Sequence, residues 1–499
     1  MNIKSIAPDK CGKINYSEYR LSKKLNDNLE IFKAVFKNDH TVIYREVVNA
    51  HDPDACCALI YIDGMVNTSV INDYIIRPLS VLEIPPTENL PDELAKKIIQ
   101  SNEIENTNEL ESMVKAVLYG DTLLLTEGYA DVLIINSKGF GMRGISEPED
   151  EKTLRGPREG FIEGILTNIS LIRRKLQTSD LKFESMTLGT RSGTKVSICY
   201  LDSLVNKNIL TELKRRLGTI NTDCVLSVNY IDEHIKDNRY SLFKTAGTTE
   251  KPDVAAARLL EGRIAVIVDG SPVVMTVPYL FVENFHSPDD YYINFYYGTI
   301  CRLLRFLSFF ITIAIPAMYV ALLGYHQEMI PRNLLLSITA AVRGVPFPIV
   351  VECVGMIIVF EMLRETGIRM PDKVGQALSI VGALVVGQAA VEAKIVSAPT
   401  VIVVALAGVT GLMLPRVKGA IVILRLLFIF AASMLGIFGF FFASVALVIY
   451  IFSIKTYDIP YASQLVPFSF QDAKDYFVRM PLTFMKKRPE HIAAETDRK

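Results

Sequence analysis

The sequence has few of the residues that usually build a catalytic or metal centre. Its six histidines are scattered, and none has the H-x-x-x-H or H-E-x-x-H spacing of a helical zinc site. Its seven cysteines include no C-x-x-C pair, so we expect reduced structural thiols rather than a disulfide framework or zinc ligands. The sequence therefore predicts no enzymatic activity, no metal and no cofactor.

Charge imbalance is also missing. The net charge is −1, with 53 basic and 54 acidic residues, and no basic block suggests nucleic-acid binding. The first residues, MNIKSIAPDKCGKINYSEYRLSKK, lack the apolar core of a signal peptide. We therefore expect a flexible tail over residues 1–25 and a large N-terminal region that stays in the cytosol.

Long apolar runs without charge, by contrast, dominate the chain from residue 306 onward. A helix needs about 20 apolar residues to cross the hydrocarbon core of a bilayer. The runs are Phe306–Tyr325, Gly375–Val391, Ile395–Pro415 and Leu426–Ile454. A fifth, interrupted piece is Asn333–Leu363, which contains RGVPFP, and its prolines break a helix. The sequence predicts an all-α polytopic membrane domain over 301–455, with about five helices, one of them broken, followed by a polar tail over 456–499.

Strand and helix patterns alternate before residue 300. Thr41–Asn49 and Cys57–Met65 are β-rich runs. In Arg263–Val277 two further β-rich runs flank Asp269–Gly270, and glycine accepts the positive φ of a tight hairpin turn. Helical spacing lies between such runs, which favours α/β folds. We predict two α/β soluble domains, 26–145 and 155–300, joined by an acidic linker over 146–154.

One motif at the end of the first domain matches the glycine pattern of a dinucleotide-binding site. Gly139, Gly141 and Gly144 form G-x-G-x-x-G after a strand, but dinucleotide binding requires a helix to begin there. The chain continues instead as ISEPEDEKTLRGP, which is acidic and interrupted by prolines. We interpret the motif as a flexible turn.

Three segments resemble one known family. They are RGPREGF at 155–161, TEKPDVAAARLLEGRIAVIVDGSPVVMTVP at 249–278 and SPDDYYINFYYGTICRLLRF at 287–306. Together and in this order they resemble the A subunit of the GerA family of spore germination receptors. The resemblance covers both soluble domains and continues more loosely to about residue 470, but it does not include the first 25 residues.

The resemblance implies a receptor subunit in the inner membrane of a dormant spore. It implies partners as well: a transporter-like B subunit that binds the nutrient, a C-subunit lipoprotein, membrane lipid, and further copies of the chain in a ring, with a pentamer as one candidate. Such a ring would release monovalent cations when the nutrient binds. A non-conducting scaffold that organises receptor complexes is the alternative, and a secondary transporter is less favoured because no inverted repeat is evident.

The segment that begins at Gly375 offers a candidate pore lining. Val381, Val385, Gln388 and Glu392 recur at i, i+4, i+7 and i+11, which places them in one stripe on a helix. In a ring the stripe would give two apolar collars, a Gln ring and a cation-selective Glu ring. Glu392 has two other interpretations, because it also suits a position at the headgroups or a pairing with a basic residue such as Lys394.

Other ionisable residues lie within the apolar half. Glu352 follows the break at Arg343, and the two suggest either a structural ion pair or a role in transport. Glu361 and Arg364 are expected to be solvated beside the next loop. In the family motif Arg155, Gly156, Pro157, Arg158 and Glu159 are expected at a domain or subunit junction, where Arg158 and Glu159 pair or cap the following helix. Five or six crossings are possible, because Gly436 and Gly439 permit a break in the last run.

Overall fold

The structure is a computed structural model that describes residues 16, 19–51, 56–82, 90–139, 151, 155–369, 382, 385–463, 472–485, 487–489 and 492–494. Its contacts divide the chain into two compact units. An α/β unit comprises Met1–Arg239, Thr245–Tyr279 and Met485–Lys499, and a helical unit comprises Tyr240–Lys244 and Leu280–Phe484.

The first sheet of the α/β unit has five antiparallel strands in the order β1-β2-β4-β5-β3. The strands are β1 Val42–Val48, β2 Cys56–Ile62, β3 Ile104–Thr107, β4 Thr122–Thr126 and β5 Val132–Ile135. Helices α1 (Leu25–Val35) and α2 (Leu110–Tyr119) contribute to the core on one face.

Both faces of this sheet are buried. Successive strand residues point to opposite faces, and Ala58 and Ile60 of β2 join the core that contains α1 and α2, whereas Leu59 joins a second core. That second core is covered by short helical pieces: Thr68–Val70, Ile71–Ile76, Arg77–Val81, Leu90–Glu93 and Leu94–Ile98. Two covered faces explain why β2 and β4 are continuously apolar instead of alternating.

The second sheet repeats the five-stranded antiparallel plan in the order β6-β7-β9-β10-β8. Its strands are β6 Leu181–Leu188, β7 Thr194–Leu201, β8 Gly247–Thr249, β9 Ile264–Val268 and β10 Val274–Val277. The helices of this half are α3 Ile165–Lys175, α4 Lys207–Gly218, α5 Val228–Ile235 and α6 Pro252–Leu260. The predicted hairpin is confirmed, with Gly270 at φ 81° between β9 and β10.

The described thiols of this unit differ in burial: Cys57 and Cys199 are buried, whereas Cys56 and Cys224 are partly exposed. All six cysteines within the described residues are free. Burial raises the pKa of the Cys57 thiol from its ordinary value of 9.0 to about 12, with a smaller contribution from Cys56. Cys57 is 2% exposed and Cys199 is fully buried, so both act as small apolar residues in the cores.

Among its described residues the helical unit contains α7 Phe295–Tyr325, α8 Arg332–Val342, α9 Ile349–Arg369, α10 Ala398–Leu412, α11 Lys418–Leu435 and α12 Ile437–Ser453. Residues 385–392 are also helical. Shorter turns are Phe281–Phe285, Asp289–Tyr292, Gln327–Met329, Pro415–Val417, Asp472–Asp475 and Leu482–Phe484. By length and composition, α7 and the stretch Pro415–Leu435 could each cross a membrane, while α8, α10 and α12 are shorter apolar helices.

These helices confirm the predicted fold class, in which two α/β sheets precede apolar helices, and they correct its details. Helix α7 begins at Phe295 rather than Phe306, so it includes the buried Arg302. Gly436 adopts φ 61° and separates α11 from α12, which confirms a break in the run Leu426–Ile454. The predicted domain boundaries stay predictions.

The residues after α12 pack closely, although the sequence suggested a polar tail. Lys455–Thr456 and Ile459–Pro460 form a small hairpin. Tyr461 is fully buried and its hydroxyl accepts a hydrogen bond from Asn284 Nδ2 at 2.9 Å. Further on, Arg302 Nη1 donates to Asp475 Oδ1 at 2.9 Å. Aromatic and charged residues therefore hold this segment against the helices.

Candidate functional site

The predicted pore stripe lies in the helical residues 385–392. Val385 is 57% exposed, and Gln388 and Glu392 are exposed as well. Gln388 Nε2 donates to Glu392 Oε1 at 3.0 Å, so the amide and the carboxylate share one face of the helix. Val381 lies outside the described residues. The stripe faces away from the rest of its own chain, and its position in a pore stays a prediction.

The opposite face of this segment packs inward. Gly387 is buried, and a Cβ built on it would lie 3.5 Å from Val401 Cγ1 of α10. A small residue therefore allows the segment to approach α10 closely, as expected at helix contacts in membranes. Packing on the glycine side turns the Val385–Gln388–Glu392 face outward.

Glu352, in the first turn of α9, is buried and holds the start of α10. Its side chain is 2% exposed, and its Oε2 accepts hydrogen bonds from the backbone N–H and the hydroxyl of Ser397, each at 2.8 Å. Thr400 Oγ1 donates to the same oxygen at 3.2 Å. A helix N-terminus carries free N–H groups and a positive dipole end, which stabilise this carboxylate without a basic partner.

Of the two alternatives for Glu352, the ion pair with Arg343 is wrong. Arg343 is exposed in the turn after α8, and the described part of the chain shows no ion pair between the two. Lys394 lies at that turn instead: a Cβ built on Gly344 would be 3.7 Å from Lys394 Nζ. Lys394 has φ 54°, which marks the sharp turn after residue 392.

A hydroxyl network extends the Glu352 anchor to a third helix. Tyr319 of α7 and Thr400 of α10 are joined through their hydroxyls at 3.1 Å, and the Ser397 and Thr400 hydroxyls lie 2.9 Å apart. The anchor thus joins α7, α9 and α10 at the loop that follows residues 385–392. The anchor therefore constrains the loop at the C-terminal end of the stripe.

Charged residues that the sequence suggested were solvated are in fact paired. Glu361 contacts both Arg364 and the fully buried Arg425 of α11. Arg302, which sequence reasoning did not single out, is also fully buried and contacts Asp290 at 3.4 Å and Asp475 at 2.9 Å. The charged residues in an otherwise apolar run were the available signal, but their partners lie far away in sequence.

The RGPREGF segment lies on the second sheet's half of the α/β unit. Pro157 O accepts a hydrogen bond from Lys251 Nζ at 2.8 Å. Glu159 lies 3.1 Å from Lys175 Nζ and 3.7 Å from Arg174 Nη2, at the C-terminal end of α3. The expectation that Glu159 caps the start of the following helix is therefore wrong, because Gly164 occupies that position. The assignment of Arg155, Gly156 and Arg158 to a junction stays a prediction.

Comparison with known proteins gives a single consistent result. The family model described as Bacillus/Clostridium GerA spore germination protein matches residues 30–491. Spore germination protein KA of Bacillus subtilis is 38% identical over 477 residues, covering 95% of this chain and 88% of that protein. Spore germination protein GerLA of Bacillus cereus is 38% identical over 438 residues, covering 87% of this chain and 89% of that protein.

Two further similarities are to a second Bacillus subtilis protein and to a solved structure. A Bacillus subtilis protein named as the uncharacterized membrane protein YfkQ is 36% identical, covering 94% of this chain and 91% of that protein. A crystal structure of the N-terminal domain of the A subunit of the Bacillus megaterium spore germinant receptor GerK3 aligns with a TM-score of 0.39 and 27% identity, covering 53% of this chain and 98% of that one.

Proposed function

The chain belongs to the GerA family of Bacillus/Clostridium spore germination proteins, and from this premise we propose that it is the A subunit of a nutrient-responsive germination receptor. In this proposal several copies form a ring in the inner spore membrane, with the large N-terminal region in the cytosol. A transporter-like B subunit binds the nutrient and a lipoprotein C subunit completes the receptor. The ring then releases monovalent cations.

The observation that carries the proposal is the outward face of residues 385–392. Val385, Gln388 and Glu392 share this face and are exposed, whereas Gly387 packs inward. A Gln and a Glu side chain toward lipid would be costly. A water-filled axis between copies would solvate both, and its carboxylates would favour cations over anions.

The Glu352 anchor supports a gating role for the same segment. Glu352, Ser397 and Thr400 fix the loop after residue 392 to α9 and α10. A change in the packing of these helices would therefore turn the stripe, and an apolar collar at Val385 would open or close to water. In this mechanism the chain performs no covalent chemistry, and conformational change alone carries the signal.

The test is cation flux through the purified full-length receptor in liposomes. Val385→Ala widens the proposed collar and Gln388→Leu makes the next ring apolar, so we expect flux to rise in the first and fall in the second. A tenfold change would correspond to about 1.4 kcal/mol in the barrier. Val386→Ala is the matched control, because Val386 is adjacent, 38% exposed and off the stripe.

Three results separate the proposals. Flux that changes in the two stripe variants, but not in the control, supports a pore. No flux from a correctly assembled ring, with assembly measured by native mass spectrometry, contradicts the pore and favours the non-conducting scaffold. Equal flux in all variants contradicts the assignment of the stripe.

A further inference from the structure

Arg425 is a buried cation without adequate neutralisation. It lies on α11 with its side chain fully buried, and its Nη2 is 3.4 Å from Glu361 Oε1 on α9. A Cβ built on Gly411 would lie 3.9 Å from the same nitrogen, so the guanidinium lies against the backbone of α10.

A second arginine shares the same carboxylate. Arg364, one turn after Glu361 on α9, also contacts it, and its side chain is 10% exposed. Two guanidinium groups and one carboxylate leave an excess of one positive charge in this cluster. Charges at such burial are normally paired and fully hydrogen-bonded.

The guanidinium groups of this cluster also have N–H donors without acceptors among the described residues. Arg425 Nε and Nη1 and Arg364 Nε are buried and have no acceptor in the described part of the chain. A water molecule would accept from one or two of these N–H groups but would leave the charge. An oxyanion supplies both acceptors and negative charge, and guanidinium groups match a phosphate through paired N–H donors.

Basic residues near the cluster and its partial exposure indicate the side from which an oxyanion would reach it. Arg369 ends α9, and Arg416 and Lys418 stand at the start of α11. Glu361 is 21% exposed and Arg364 10% exposed, so the cluster opens on their side. Long arginine side chains at helix ends extend toward the headgroups of a bilayer, where phosphate groups are abundant.

We propose that Arg364 and Arg425 form a binding site for a phosphate-class oxyanion between α9 and α11, which the headgroup of an anionic phospholipid or free phosphate would occupy. Glu361 holds the two guanidinium groups in place, and the oxyanion neutralises the remaining charge. The lipid source rests on the membrane placement proposed above, but neither source requires a pore.

The experiment measures binding by native mass spectrometry of the full-length protein, released from vesicles of phosphatidylglycerol in phosphatidylcholine. Arg425→Gln and Arg364→Gln each remove one charge and are expected to reduce retained phosphatidylglycerol by about tenfold. Arg215→Gln is the matched control, because Arg215 lies on α4 of the α/β unit, is 62% exposed and pairs with Glu212 on the surface. Arg425→Lys keeps the positive charge but lacks the paired N–H donors of a guanidinium. It serves as a second variant if Arg425→Gln does not fold.

A second arm identifies the source of the oxyanion. Inorganic phosphate is added to the delipidated protein in detergent, and thermal unfolding is followed. Loss of phosphatidylglycerol in both variants without stabilisation by inorganic phosphate supports a lipid headgroup, while stabilisation that both variants lose supports free phosphate. If all variants retain lipid equally and phosphate has no effect, the site is refuted, whatever the flux measurements show.

Discussion

Arg173 joins the two sheets of the α/β unit through several buried contacts. Its side chain is fully buried in α3, and its Nη2 donates to Asp39 Oδ2 at 2.7 Å and to Thr41 Oγ1 at 2.8 Å, both beside β1 of the first sheet. The guanidinium also lies 4.8 Å from the centre of the Phe183 ring in β6. One side chain thus combines an ion pair, a hydroxyl contact and a cation–π contact.

Removal of this arginine should destabilise the α/β unit strongly. Arg173→Leu leaves the Asp39 carboxylate buried and unpaired, which costs about 3–5 kcal/mol. Arg174→Leu is the control: this neighbour is 28% exposed and 3.7 Å from Glu159, and surface pairs contribute about 0–1 kcal/mol. Thermal unfolding of the full-length protein measures both. Equal loss in the two variants would contradict the importance of the buried pair.

At the scale of elements, the turn between α11 and α12 shows how glycine sets helix packing. Gly436 breaks the helix with φ 61°, and Gly439 comes so close to α11 that a Cβ would overlap the carbonyl oxygen of Ala431. Because a backbone atom cannot move aside as a side chain can, the close packing of the two helices requires glycine, which has no Cβ, at residue 439.

Gly439→Ala should therefore separate α11 from α12. Overpacking of this kind costs about 1–3 kcal/mol. Gly419→Ala, on α11, is the control and should be neutral or slightly stabilising, because a Cβ there meets no atom within 4 Å and alanine favours helices. Thermal unfolding in detergent compares the two. A control variant that is as unstable as Gly439→Ala would mean that added helix methyl groups, not the close approach, cause the loss.

Sequence patterns predicted elements best where one local signal was enough. The hairpin around Asp269–Gly270 was predictable from its two β-rich runs and its glycine turn, and it forms between β9 and β10. The strand β3, IENT, has no apolar alternation and exists through its pairing with β5. Glu109 is the N-cap residue of α2 and makes no capping side-chain hydrogen bond, so no local cap signal marks the start of this helix.

The candidate site was less predictable because its partners are distant in the chain. The sequence identified Glu352 as a charged residue that is costly to bury in a membrane. Its partner Ser397 lies 45 positions away, so the nearer Arg343 was the partner that the sequence suggested. In the same way Arg425 lies 64 positions from Glu361. Helical spacing could place Val385, Gln388 and Glu392 on one face, but no periodicity shows which helix crosses beside them. The family itself was predictable, and the match over residues 30–491 confirms it.

At the scale of the whole molecule, the short segment Tyr240–Lys244 belongs to the helical unit although its neighbours in sequence belong to the α/β unit. Phe243 is 1% exposed and packs edge-on against Phe281, with Tyr450 and Tyr461 also within 6.2 Å between ring centroids. The backbone N–H of Leu242 donates to Tyr450 Oη at 2.8 Å. This segment is held by aromatic packing.

Phe243→Ala should release this segment. Loss of a buried phenylalanine costs about 3–5 kcal/mol, and we expect faster hydrogen exchange over residues 240–244 and at the end of α12. Tyr240→Ala is the matched control, because Tyr240 is 89% exposed. Unchanged exchange in the Phe243 variant would show that other contacts hold the segment. If the flux response to nutrient is lost while the protein stays assembled, the segment also transmits the signal.

The division of the chain has a consequence for proteolysis. The backbone passes between the two units four times, at residues 239–240, 244–245, 279–280 and 484–485. A protease that cuts the chain at one of these points therefore leaves three peptide connections between the units.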